Sequence, residues 1–136
     1  MIIESYTKLR RQVSLLGAIE LKAADLGLKQ MQILYQISGS PRTMGDLASC
    51  TLSDKASTTR TVEALVRAGW VTRVNSTEDR RKRVIAVTVK GRLKAQKALE
   101  VRESIGKRLD ETLTLNERKT LVQLLNKVTA GLEQRK

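Results

Sequence analysis

The chain has 136 residues, of which 40% are hydrophobic and 29% charged. That is enough for one domain with a real core, short for two, and unlike a disordered chain. Lysine and arginine number 26 against 14 acids, and the resulting net charge of +12 points to a polyanionic partner, nucleic acid before an acidic membrane surface.

Apolar residues predict a first helix over 4–24, where Tyr6, Leu9, Val13 and Leu16 recur at steps of three and four and Ile19 and Ala23 extend the stripe. Asp25–Leu26–Gly27 breaks it. A second helix follows over 28–38, with Leu28, Met31, Leu34, Tyr35 and Ile37 apolar, and Gly39, Ser40 and Pro41 end it. Thr43 is placed to cap a short third helix from Met44 to about Cys50, with Asp46 as the acidic half of a capping box. A turn is expected at Thr51 and Leu52. Ser53 is then the expected cap of a fourth helix that runs to Ala68, with Gly69 as its stop.

Residues 69–74 and 83–89 read as two strands, because β-branched residues favour a pleated surface. They form a hairpin whose long tip carries Asp79, Arg80, Arg81, Lys82 and Arg83. Two longer helices complete the chain, at about 92–112 and 115–133. Leu93, Ala98, Val101, Ile105 and Leu109 stripe the first, and Leu121, Leu124, Leu125, Val128 and Leu132 the second. Thr114 to Glu117 is a capping box between them. The fold class expected is mainly α with a small β-hairpin: a winged helix-turn-helix flanked by terminal helices.

In that arrangement the second helix of the motif enters the major groove, and the hairpin reaches the backbone or minor groove. Half of the net charge falls within residues 42–92, which hold eleven basic and five acidic side chains. At about 100° per residue, Val62, Leu65 and Val66 of the fourth helix face inward. Ser57, Arg60, Ala64 and Arg67 face outward, with Ala56 and Glu63 beside them. Arg60 suits a bidentate contact with guanine. Small residues at the head of that face let the backbone approach base edges, and Ser57, Thr58 and Thr61 are candidate donors to bases or phosphates.

Other chemistry finds little support. The chain has no histidine and one cysteine, its acids are scattered, and no phosphate-cradling glycine motif occurs. No catalytic residue, metal or cofactor is expected, and the chain is not expected to be an enzyme. Cys50 reads as a buried, inert cysteine. No apolar run approaches the ~20 residues of a membrane helix, and the first residues lack the order of a signal peptide. The expected location is the cytoplasm, with no membrane partner.

The runs "DKASTTRTVEALVRAGWVTR" and "DRRKRVIAVTVKG" resemble the multiple antibiotic resistance regulator (MarR) family of bacterial transcription factors. The most diagnostic spacing is Asp79-x-Arg81 followed by Thr88-x-x-Gly91, and "LGLKQMQIL" at 26–34 resembles the segment before that family's helix-turn-helix. Gly27 stands where the family usually has a capping threonine, a tolerable exchange.

The resemblance implies a homodimer whose first and last helices interlock, with Tyr6, Leu9, Val13, Leu109, Leu121, Leu125, Val128 and Leu132 at the interface. It implies DNA contacts from Lys55, Ala56, Ser57, Thr58, Thr59 and Arg60 of the recognition helix. Arg73, Arg80, Arg81, Lys82 and Arg83 of the wing would join them. Arg81 would enter a minor groove, and Asp79 would orient Arg81 or its neighbour rather than touch DNA. The division expected is 1–27 and 92–136 for dimerisation and 28–91 for DNA. The function expected is a dimeric repressor on a palindromic operator, released by a small effector; the alternative is a constitutive or architectural DNA-binding protein. Tyr6, Arg10 and Tyr35 are candidate effector contacts, although the plainer assignment makes Tyr35 core and Tyr6 dimer packing.

Overall fold

A computed structural model describes residues 1–51 and 53–134. Its elements in chain order are α1 (Ile2–Ala23), α2 (Leu28–Ile37), α3 (Met44–Cys50), α4 (Lys55–Arg67), β1 (Val71–Asn75), β2 (Arg83–Val87), α5 (Arg92–Asp110) and α6 (Leu115–Glu133). This is a mainly helical fold with one antiparallel hairpin, as the sequence predicts. The chain divides into two compact units, Met1–Arg102 and Glu103–Lys136.

The first unit is built on local signals that satisfy helix ends. Gly27 caps α2, and its N–H donates to the Gln30 side chain at 3.0 Å. Thr43 caps α3: its hydroxyl accepts from Asp46 N at 3.1 Å, and its own N–H donates to the Asp46 carboxylate at 3.4 Å. α4 differs by one position from the expectation. Asp54, not Ser53, is the cap, and its carboxylate accepts from Ser57 N at 2.7 Å. The expected turn residue Leu52 lies outside the described residues.

Two helices end on a left-handed residue that returns two backbone donors to the last turn. At α4 this is Gly69, φ 80°, with Gly69 N on Val66 O and Trp70 N on Leu65 O. At α1 it is Asp25, φ 55°, with Asp25 N on Lys22 O and Leu26 N on Leu21 O. Aspartate is among the few non-glycine residues that adopt this conformation readily. Lys94 supports it from α5, donating to the carbonyls of Ala24 and Asp25 at 3.3 and 3.2 Å.

The core joins Ile33, Leu34 and Ile37 of α2 to Leu47 of α3, Val62 and Leu65 of α4, Val71 of β1 and Ile85 of β2, all buried. Ala95, Ala98 and Val101 of α5 are buried as well. The strands pair Val71 with Val87 through Asn75 with Arg83. Arg42 adds a pairing absent from the sequence reading: its N–H and carbonyl exchange hydrogen bonds with Ile85 at 3.1 and 2.6 Å, so the segment before α3 lies beside β2.

Thr88 closes the hairpin. Its hydroxyl donates to Gly69 O at 2.6 Å and accepts from Gly91 N at 2.9 Å. Gly91 is buried so tightly that a Cβ there would fall 1.9 Å from Trp70 O. This is the physical content of the Thr88-x-x-Gly91 spacing: the hydroxyl bridges two backbones, and only glycine lets them approach.

In the second unit, Thr114 and Glu117 form the expected capping box, with 2.9 Å from Thr114 N to the Glu117 carboxylate and 3.3 Å from Glu117 N to the Thr114 hydroxyl. The Thr114 backbone N–H, and then its side chain, hold the Glu117 carboxyl below the usual carboxylate range. None of the described residues of α6 is buried, although the helix carries Leu121, Leu124, Leu125, Val128 and Leu132.

Candidate nucleic-acid interface

Helices α3 and α4 make the helix-turn-helix, and the β1–β2 hairpin makes the wing. On α4 the exposed residues are Lys55, Ala56, Arg60, Glu63 and Arg67, with Thr59 half-buried. Lys55, Ala56 and Arg60 thus share an open surface on which Arg60 has no acidic partner among the described residues. Such a surface can meet a polyanion, with one long cation free to reach a base edge between small neighbours.

Two members of the expected contact set turn inward. Thr58 is 1% exposed, and its hydroxyl donates to Asp54 O at 3.0 Å. It belongs to the inward face with Val62 and Leu65, four and seven residues on. Ser57 is 8% exposed, because Lys29 of α2 crosses to it and donates from Nζ to its hydroxyl. The sequence placed Ser57 on the outer face, since periodicity within α4 carries no information about a neighbouring helix. Thr59 and Thr61 stay nearer the surface, but their hydroxyls donate to Lys55 O and Ser57 O at 2.8 and 3.1 Å, a common fate of threonine inside a helix. Val66, expected inward, is half-buried.

The wing tip is ordered by its own hydrogen bonds. Ser76 N donates to Lys82 O at 2.8 Å, and Lys82 N to Asp79 O at 3.0 Å. The Ser76 hydroxyl accepts from Glu78 N and Asp79 N at 3.2 and 3.4 Å. The Asp79 carboxylate accepts from the backbone N–H of Arg81 at 3.0 Å. Asp79 therefore shapes the turn that presents Arg81, and does so through the main chain rather than the guanidinium.

Arg80, Arg81, Lys82 and Arg83 are exposed, and none pairs with a carboxylate among the described residues. Four free cations on a braced turn can follow a phosphate backbone or enter a narrow groove. Arg73 is differently placed: it is half-buried and pairs in register with Ile85, so it sits at the rim of the hairpin's inward face.

The remaining candidates separate by environment. Tyr6 is 54% exposed, with Arg10 over its ring at 6.0 Å. Tyr35 is half-buried beneath Arg102, whose guanidinium carbon lies 4.1 Å from the ring centroid. Each tyrosine already carries a cation on its face, and they do so with different partners. Cys50, expected to be buried, is exposed at the last position of α3. Of the expected interface residues, Tyr6, Leu9, Leu109, Leu121, Leu125, Val128 and Leu132 are exposed, and Val13 is half-buried.

Residues 24–82, which span α2 to the wing tip, match the MarR family. No curated protein matches the chain. Among solved structures, apo wild-type MarR from E. coli is 25% identical, with 94% of this chain and 96% of that chain covered and a TM-score of 0.74. The transcriptional regulator BldR from Sulfolobus solfataricus is also 25% identical, over 95% of this chain and 92% of that one, with a TM-score of 0.76. MepR from S. aureus, solved as a complex with DNA, shares the fold at a TM-score of 0.82 and 15% identity over 96% and 98% of the two chains. The helix-turn-helix and most of the wing thus match the MarR family, and the fold is shared nearly end to end with solved regulators.

Proposed function

We propose that the protein is a dimeric repressor that binds a palindromic site in double-stranded DNA, with 28–91 as the reading lobe and 1–27 and 92–136 as the dimerisation segments. One observation carries the DNA reading: four wing cations are exposed without a carboxylate partner among the described residues, on a turn braced by Asp79, next to a recognition helix whose open face offers Lys55, Ala56 and Arg60. MepR, which shares the fold, is solved on DNA. The bare apolar side chains of α1 and α6 support a second copy as their cover, because surfaces of this kind mark interaction sites. Two copies would set two recognition helices about one helical turn apart. The cation already seated on each tyrosine ring favours packing over effector contact for Tyr6, Arg10 and Tyr35.

Selection of bound duplexes from a random pool tests this reading. The expected result is an inverted repeat with half-sites about one turn apart. Tight binding without an enriched sequence would replace the repressor with an architectural protein.

On the selected site, Arg60→Ala should cost about 1–3 kcal/mol and relax preference at one position per half-site. Arg80→Ala or Lys82→Ala should weaken all duplexes alike and lower the salt slope by about one unit per lost contact. Arg81→Ala should hurt most where A·T-rich flanks narrow the minor groove. Binding isotherms on specific, flank-altered and random duplexes check all three. An equal factor for Arg81→Ala on every duplex would reduce its role to holding phosphate.

A further inference from the structure

We propose that Lys29, a residue of α2 outside the helix-turn-helix, is a DNA-phosphate contact carried on the flank of the recognition helix. The inference rests on the reading of α4 as that helix and adds a contact from a different element. Lys29 lies in the first turn of α2 and is exposed. Its ammonium nevertheless reaches the recognition helix and donates to the Ser57 hydroxyl. Ser57 follows Ala56 and precedes Arg60 by three positions, so the ammonium lies along the edge of the face that carries Lys55, Ala56 and Arg60. Among the described residues no carboxylate pairs with Lys29.

The chemistry of the pair decides between a tether and a contact. An ammonium has three donors, and Ser57 takes one, leaving two for a further acceptor on an exposed residue. A single hydrogen bond from a solvent-exposed lysine contributes little to folding, because water replaces it at small cost. A fixed cation at the edge of a DNA-binding face acts on every duplex, because each neutralised phosphate releases counterions. The two side chains have separate parts. Lys29 supplies the charge, and Ser57 is a positioning residue that holds a flexible four-carbon stem in one place. Ser57, covered by the lysine, thus acts through Lys29 and not as a direct reader of DNA.

The test is a set of binding isotherms at several salt concentrations, on the selected site and on random duplex, for the unmodified protein, Lys29→Met, Lys29→Arg and Ser57→Ala. Lys29→Met keeps a long stem over Ser57 and removes the charge. Its salt slope should fall by about 0.9 per subunit and its affinity roughly tenfold at physiological salt, on both duplexes alike. Lys29→Arg should keep the slope. Ser57→Ala should also keep the slope, since the charge remains, while affinity drops about twofold to threefold as the stem loses its anchor.

Thermal unfolding midpoints of all variants should match the parent. An unchanged slope and affinity for Lys29→Met would overturn the proposal and leave the function standing. An equal loss for Lys29→Arg would overturn it too, because charge would not be what matters. Absence of duplex binding by the unmodified protein would instead sink the functional reading, and this inference with it.

Discussion

Gly91→Ala should destabilise the protein by about 3 kcal/mol or more, a larger effect than most single substitutions produce. The cause is the close approach of backbone to backbone where the wing returns to α5. An added Cβ would lie 1.9 Å from Trp70 O, 2.7 Å from Trp70 C and 2.9 Å from Trp70 Cα. No flexible side-chain end stands there to move aside. Relief requires that β1 and the start of α5 separate, which breaks the Thr88 hydroxyl's bridge between Gly69 O and Gly91 N. Gly106→Ala is the control. Beyond its own helix backbone, no described residue lies within 4 Å of a Cβ at Gly106, and helix propensity alone should make that exchange neutral or stabilising by up to ~1 kcal/mol. Urea denaturation of both variants measures the contrast. Equal stability for Gly91→Ala and its parent would mean that the closure between wing and α5 is looser than described.

Leu125→Glu should convert a dimer to monomers and, with it, abolish tight operator binding. Leu125 and Leu121 are 54% and 42% exposed on a helix with no buried residue among those described. In a two-fold interface each substitution counts twice. Loss of one leucine's burial costs about 1.5–3 kcal/mol per copy, and a carboxylate placed against apolar neighbours adds its own desolvation penalty. The sum per dimer is several kcal/mol, enough to move dissociation well above micromolar concentration. Sedimentation should give a species of twice the 15.2 kDa chain mass for the parent and a single chain for Leu125→Glu, which should then bind half-sites only weakly. A parent that sediments as a monomer at micromolar concentration would remove the proposed role of α1 and α6.

Legibility in the sequence followed the range of the interaction. Capping at Thr43 and Thr114 was readable because donor and acceptor lie three residues apart. The ends of α1 and α4 were readable for the same reason. The cap of α4 lies one residue past the expected Ser53, at Asp54, since both are good caps and only the backbone path chooses between them. The inward turn of Thr58 is legible in its spacing to Val62 and Leu65, although its hydroxyl alone suits a contact with DNA. The cover over Ser57 was not available, because Lys29 lies 28 residues away. Nor was the bridge from Arg42 to Ile85, which is made by backbone atoms and leaves no mark on side-chain pattern. In the wing, charge was evident from composition, whereas the bracing of Arg81 by Asp79 through the main chain needed the structure.

The support that Lys94 gives to the end of α1 has an optical consequence. The same ammonium that donates to Ala24 O and Asp25 O lies 4.8 Å from the centroid of the Trp70 ring. Trp70 is the only tryptophan of the chain. A cation held over an indole face alters the energy and lifetime of its excited state, and Lys94 is held there by the end of α1. Tryptophan emission from the unlabelled protein therefore comes from a single junction, where α1 ends, β1 begins and α5 begins. Any event that slides α1 or α5 against the wing changes the distance between ammonium and ring. The chain thus carries its own spectroscopic gauge of strain where α1, the hairpin and the start of α5 meet.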